Sequence, residues 1–218
     1  PVVDELGRLV GRITIDDIID VIKEEADKDY QLAAGISQDV EADDSILELT
    51  KARLPWLVLA LLGGFIAVKV SGQFEGAMEK YGVLFFFTPL IAAMAGNVGV
   101  QSSAIIVQGL ANNTLSGTIW QRLFKEMKLS IFNGLILALI LLLGSHFLLG
   151  VEYIIGITVA IALISVIVIA SLIGTFVPIT LNKYGIDPAL ATGPFITTSN
   201  DIFGILIYFS IAKVILGF

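Results

Sequence analysis

Five apolar stretches dominate the chain after its first quarter: residues 54–70, 83–111, 129–151, 153–182 and 189–212. The second and fourth contain no charged residue. The third has none when His146 is neutral, and the fifth has one, Asp201. A helix that crosses a bilayer needs about 20 predominantly apolar residues. Four stretches reach that length directly. The first does so by running on to Gly72 and including Lys69, whose long stem lets its ammonium snorkel to the interface. The pattern predicts an all-α membrane protein with five transmembrane helices, at about 54–72, 83–111, 129–151, 153–182 and 188–217, forming one domain over residues 54–218.

The chain ahead of them reads differently. Val2–Val3 and residues 9–14 are short β-type runs around the Gly-containing turn Asp4-Glu5-Leu6-Gly7-Arg8. Thr14 or Ile15 then leads into an amphipathic helix with Asp16 and Asp17 in its first turn. This unit, residues 1–25, is too small to bury a core alone. Residues 27–44 are acidic and poorly periodic. Ser45 and Glu48 have capping-box spacing, so a helix is expected to start at Ser45 and run through Leu49, Lys51 and Arg53. Pro55 and Trp56 fall where a membrane interface should lie. The chain opens on Pro1, inside what reads as a strand and without an initiator Met or signal peptide, so a further N-terminal portion is expected.

Charge sharpens this division. Residues 1–53 hold 14 of the 20 acidic residues and 6 of the 13 basic ones, net −8, while the rest is net +1. The overall −7 therefore belongs to a short acidic head on a nearly uncharged body. There is no cysteine, which excludes disulfides and thiolate metal sites, and the single His146 cannot build a zinc cluster. His146 reads as an interfacial residue near a helix end. Arg122, Lys125 and Lys128, against Glu126, lie between the second and third stretches, and Lys51 and Arg53 precede the first. Positive-inside counting places both on the cytoplasmic face of a cell membrane, with the N-terminus inside and the C-terminus outside. An odd number of crossings argues against inverted repeats within one chain, and a homodimer would complete a central pore. No nucleic-acid partner is expected. Paired-Asp, His-Glu-x-x-His and Gly-x-Ser-x-Gly motifs are missing, so no enzyme is expected.

Polarity that survives at membrane depth is the natural place to look for function. Asp201 stands near the middle of an apolar helix, at a cost of roughly 2.5–3.5 kcal/mol. Gly193, Thr197, Asp201, Gly204 and Tyr208 are spaced 4, 4, 3 and 4 apart and so share one helical face. In the second stretch Asn97, Gln101, Ala104 and Gln108 repeat the device, with Pro89, Gly96 and Gly99 before or among them. Amides and small residues in such helices also serve only to hold helices together, and for Asn97 and Gln101 both readings stand. Asp201 has no cation at matching depth, since Lys69, Lys183 and Lys213 lie near segment ends. It is the functional candidate, for a proton or a cation. Carboxylate, amide and carbonyl oxygens suit Mg²⁺ or Ca²⁺ rather than soft metals. Two such carboxylates facing across a dimer axis would repel without a dication between them. A wide, weakly charged site fits a hydrated Mg²⁺, which sheds its waters reluctantly.

The run Pro89-Leu90-Ile91-Ala92-Ala93-Met94-Ala95-Gly96-Asn97-Val98-Gly99-Val100-Gln101-Ser102-Ser103, followed by Asp187-Pro188-Ala189 and Gly193-Pro194-Phe195-Ile196-Thr197-Thr198-Ser199-Asn200-Asp201-Ile202-Phe203-Gly204, resembles the MgtE family of magnesium channels. Residues 1–17 resemble the end of the CBS domain that precedes the pore in that family. The resemblance implies a homodimer with five transmembrane helices per subunit and a pore lined by the second and fifth. It implies an Mg²⁺ site at Asp201, with Thr197 and Gly193 one and two turns earlier and Gly96-Asn97 on the second helix. Gly193 can offer only its backbone. The resemblance also implies that residues 26–53 form a long juxtamembrane plug helix. This helix would close the pore when cytoplasmic acids bind Mg²⁺, and Asp16, Asp20, Glu24, Glu25, Asp43 and Asp44 are the candidates. The competing reading is a proton- or sodium-coupled divalent cation transporter with Asp201 as the relay.

Overall fold

The computed structural model describes residues 1–218, apart from the side chains of Met78 and Ala191. Two short strands, β1 (Val2–Val3) and β2 (Leu9–Gly11), pair antiparallel with Val2 opposite Gly11 and Val3 opposite Leu9. Helix α1 (Ile15–Ala33) follows, its start held by the Asp17 carboxylate, which accepts from the Thr14 amide at 2.7 Å and the Thr14 hydroxyl at 2.8 Å. None of the α1 residues is buried. This agrees with a head too small to make its own core.

Residues 26–53 are not one helix. Helix α1 runs through residue 25, stops at Ala34, and the chain turns at Gly35 with φ +78°. The Gly35 amide bonds the Leu32 carbonyl at 3.0 Å and the Ile36 amide bonds Gln31 at 2.9 Å, a Schellman closure that a left-handed glycine permits. The Gln31 side chain then clasps both backbone groups of Val40, at 2.9 and 3.2 Å, and the Ser37 amide reaches the Ala52 carbonyl at 2.9 Å. A new helix, α2 (Ile46–Gly72), starts at Ser45 in the expected capping box: Glu48 accepts from the Ser45 amide at 3.1 Å and hydroxyl at 2.6 Å. It continues through Pro55 into the first crossing without a break.

The remaining elements are α3 (Glu75–Tyr81), α4 (Val83–Ala111), α5 (Ile119–Phe147), α6 (Tyr153–Lys183), a 3₁₀ turn (Pro188–Ala191) and α7 (Pro194–Leu216). Among the described residues, α2, α4, α5, α6 and α7 are long and apolar enough to cross a membrane. The protein is a five-helix membrane protein, as the hydrophobic pattern predicts. Besides α2, which starts at Ile46 ahead of the expected 54, and α5, which ends at Phe147 ahead of the expected 151, two starts differ from the expected ones. Helix α5 begins at 119 rather than 129, because Thr118 caps it and Gln121 bonds back to the Thr118 amide at 3.0 Å, so Arg122, Lys125 and Lys128 are helical. The fifth crossing begins at Pro194, with Gly193 outside it at φ +58°.

Helix α6 is the hub. It packs against α4, α5 and α7, and 56% of its apolar stretch is buried, against 6% for α2, which leans chiefly on α7. A helix apolar on every side belongs in such a position. Val159, Leu163, Val166 and Ile167 of α6 meet Leu84, Ile91 and Ala95 of α4 and Tyr208, Phe209 and Ala212 of α7 in one core. Close approach depends on glycine at two points. A methyl group on Gly174 would collide with the Gly99 backbone carbonyl, and one on Gly99 with the Asn200 side chain.

Candidate functional site

The site forms where α7 meets α4. Gly193 and Pro194 set its start: Gly193 adopts a backbone conformation that favours glycine, and Pro194 occupies a first-turn position where its missing N–H costs nothing. One turn on, Thr197 points its hydroxyl back into its own helix, within 3.2 Å of the Gly193 carbonyl and 3.1 Å of the Pro194 carbonyl. The Thr197 amide also donates to Gly193, at 3.0 Å. The Gly193 carbonyl is thus engaged by Thr197 from two directions.

Asp201 follows one turn later and is half-buried. Its wall is Gly96 of α4: a methyl group there would rest 3.6 Å from Thr197 Cγ2 and 3.8 Å from Asp201 Oδ1. Glycine at position 96 therefore leaves the carboxylate room on this side. Among the described residues the only ion pair is Arg8–Asp4, in the head, so the Asp201 charge has no basic partner. Nor do three His, Cys, Asp or Glu side chains come together among the described residues to cage a metal. A single chain offers one carboxylate beside a glycine, which leaves room for an ion that keeps its own water.

Asn97, the next position round α4 from Gly96, is exposed and opens into a cleft between α4 and α5, together with Gln101. Ala104 and Gln108 are exposed too, so this whole stripe is uncovered in the single chain. The α7 stripe behaves differently. Gly204 is buried against Ala95 and Val166, and Tyr208 is fully buried with its hydroxyl donating to the Leu84 carbonyl at 2.8 Å. Only Gly193, Thr197 and Asp201 of the five remain partly accessible.

Sequence reasoning overlooked Asn200. It is 1% exposed, its amide nitrogen donates to the Ala95 carbonyl at 3.3 Å, and its Oδ1 is buried without a partner. It fixes α7 to α4 directly beside Asp201. A polar residue next to the only deep carboxylate was the available signal.

The head touches the same place. A methyl group on Gly193 would strike the Ala33 carbonyl at the end of α1, and one on Gly35 would lie 2.9 Å from Pro194 Cδ and 3.6 Å from Trp56 Cβ. Helix α1 also packs on the 3₁₀ turn. That turn is capped by Asp187, which accepts from the Ala189 amide at 2.8 Å. Burial pushes the Asp29 carboxyl above its usual range, and the Asp187 and Glu25 carboxylates push it further, with Lys28 opposing. Asp29 was not among the expected acids.

The fold and this geometry define a class first: a multi-pass membrane protein with an unpaired carboxylate held at membrane depth between two of its helices. Comparison with known sequences narrows it. The profile of the MgtE family, described as a divalent cation transporter, matches residues 88–211, from within α4 to within α7. The chain is 40% identical over 213 residues to the magnesium transporter MgtE of Bacillus subtilis, covering 97% of this chain and 47% of the relative. It is 36% identical over 219 residues to the magnesium transporter MgtE of Thermus thermophilus, covering 99% and 48%. To the protein of that name from Enterococcus faecalis it is 34% identical over 221 residues, covering 100% and 48%. The chain belongs to the MgtE family, and it spans about half the length of the curated relatives it matches.

Proposed function

We propose that the chain is the membrane part of a magnesium channel, passing Mg²⁺ down its electrochemical gradient along a pore lined by α4 and α7 of a homodimer. The observation that carries this reading is the Asp201 carboxylate, without a basic partner at membrane depth and left open by Gly96. An intramembrane carboxylate without a counter-charge marks an ion or proton path. The names of the three relatives supply the ion. The exposed stripe of Asn97, Gln101, Ala104 and Gln108 supplies the reason for a second subunit, since amides facing hydrocarbon are costly. Two copies of Asp201 across the axis would hold a hydrated dication through its waters. Thr197, Gly193, Gly96 and Asn97 form the surrounding wall. The reading needs no enzymatic chemistry.

Orientation follows from charge. Lys51 and Arg53 near the start of α2, and Arg122, Lys125 and Lys128 in α5, fall on one side for five crossings, the cytoplasmic one. The head then lies in the cytoplasm, at the Gly193 end of the site. Its Asp29 and the Asp187 that caps the 3₁₀ turn repel each other. Cytoplasmic Mg²⁺ bound there would relieve the repulsion and hold α1 against the start of α7, closing the pore.

The test is ion flux into liposomes with Mg²⁺, Ca²⁺, Mn²⁺ and Na⁺ at several pH values. A channel gives Mg²⁺ flux that follows the Mg²⁺ gradient at every pH. Flux driven by a proton or sodium gradient alone would replace this reading with a coupled transporter that uses Asp201 as its relay.

A further inference from the structure

The cleft between α4 and α5 has a volume of about 490 Å³ and a mixed lining, in which polar side chains interrupt apolar ones such as Val98, Leu129 and Ile167. Asn97, Gln101 and Ser102 line it from α4, and Glu126, Ser130 and Asn133 from α5. Asn97, Gln101 and Asn133 are exposed. Amide groups in this position at membrane depth need water, an ion or another protein group beside them.

Glu126 is the only charged residue in the cleft. Its Oε1 accepts from the Ser102 hydroxyl at 2.6 Å. Among the described residues Glu126 makes no ion pair: Arg122 bonds the Ser116 carbonyl, and the Lys128 ammonium sits 4.5 Å from the centre of the Phe124 ring. Ser130 is likewise committed, to the Glu126 carbonyl at 2.8 Å and to Ser171. Ser102 lies six positions beyond Gly96 on α4, about 9 Å along the helix at 1.5 Å per residue. Asp201 beside Gly96 and Glu126 beside Ser102 thus flank α4 at positions about 240° apart round it, and Asn97 and Gln101 lie on the arc between them.

We infer that this cleft is a second cation site, an antechamber that takes up a hydrated divalent ion at Glu126 on its path to or from Asp201. The inference rests on the proposed channel reading. Its donors are a carboxylate, amides and hydroxyls, all hard oxygen or nitrogen-bearing groups that bond to an ion's water shell rather than strip it. Six waters at about 30 Å³ each occupy roughly 180 Å³, so the cleft admits a hydrated ion with room to move. A charge in a walled cleft concentrates counter-ions locally, so Glu126 should act on the concentration of Mg²⁺ needed rather than on the selectivity at Asp201.

Two measurements test it on the full chain in liposomes. Glu126→Gln should raise the half-saturating Mg²⁺ concentration by about tenfold, the lower end of what focused charge adds to local ion concentration. Asp201→Asn should lose flux at every concentration. An unchanged half-saturation in Glu126→Gln overturns the antechamber, whatever Asp201→Asn does. Full flux in Asp201→Asn overturns the channel reading instead. The second measurement does not depend on how Glu126→Gln folds. The chain has no cysteine, so Asn133→Cys places a single thiol in the cleft. A cationic, membrane-impermeant thiol reagent should label it and reduce flux, and Mg²⁺ should slow the labelling. A thiol that resists the reagent, or that cross-links to a second copy, makes the cleft a lipid- or protein-covered surface and overturns the proposal.

Discussion

Gly193 just ahead of the fifth crossing, Thr197 and Asp201 in its first part, and Gly204 and Tyr208 in its second part follow one helical spacing in the sequence, yet the protein uses them in opposite ways. The first group is partly accessible and ends in a carboxylate with no basic partner. The second is buried, with the Tyr208 hydroxyl satisfied by Leu84 and Gly204 seated against Ala95 and Val166. Spacing decides which residues share a face. What stands opposite decides whether that face is a site or a seam. Near the start of α7 the neighbour is a glycine, which leaves space. Further along it is packed core, which takes it.

That contrast can be broken from the seam side first. Gly99→Ala drives a methyl group into the Asn200 side chain and within 2.8 Å of Ile196 Cγ2. It should cost about 1–3 kcal/mol of stability, as overpacking does, and lower the detergent melting temperature more than any change described below. Tyr208→Phe removes one hydrogen bond from the core and should cost roughly 1 kcal/mol. Mg²⁺ flux per folded molecule should be unchanged, because this half of the stripe does not face the ion. A Tyr208→Phe protein of full stability but altered flux would join the two halves into one functional face.

On the site side the effects on stability should be smaller. Thr197→Val deletes a hydroxyl that bonds only its own helix, so stability should move by less than about 0.5 kcal/mol and flux should fall modestly, through changed hydration of the wall. Smallest is the contribution of Asp29. Its carboxyl is held above its usual range by burial and by Asp187 and Glu25. The docked head therefore binds more protons than the undocked one, and docking weakens as pH rises through the raised range of Asp29. In Mg²⁺-free buffer the protection factors at residues 34–36, taken relative to the intrinsic exchange rate at each pH, should be higher at pH 4 than at pH 8, and Asp29→Asn should flatten the difference.

The five crossings were legible because each is a long apolar run with at most one charge inside it. Their starts were less so. Helix α2 was expected from the Ser45–Glu48 pair, but the uninterrupted run past Pro55 was not, because Lys51, Arg53 and Pro55 break the hydrophobic signal. Helix α5 lost its first turns in the same way, to Arg122, Lys125 and Lys128. The Thr118–Gln121 pair carried the missing information. A break was expected in the acidic, poorly periodic residues 27–44, but its place at Gly35 was not, because it depends on Gln31 clasping Val40 and on Ser37 reaching Ala52. At the site, Asp201 announced itself by its charge in an apolar helix. The part played by Asn200 rests on a carbonyl of Ala95, far away in the chain, and no local pattern encodes such a meeting.

Mg²⁺ uptake into liposomes by Asp201→Asn, with melting temperature measured on the same preparation, bears most directly on the central claim. The account predicts a folded protein, melting within a few degrees of the unsubstituted chain, whose flux falls to that of empty liposomes. A folded Asp201→Asn protein with undiminished Mg²⁺ flux would contradict it and move the ion path away from the α4–α7 face.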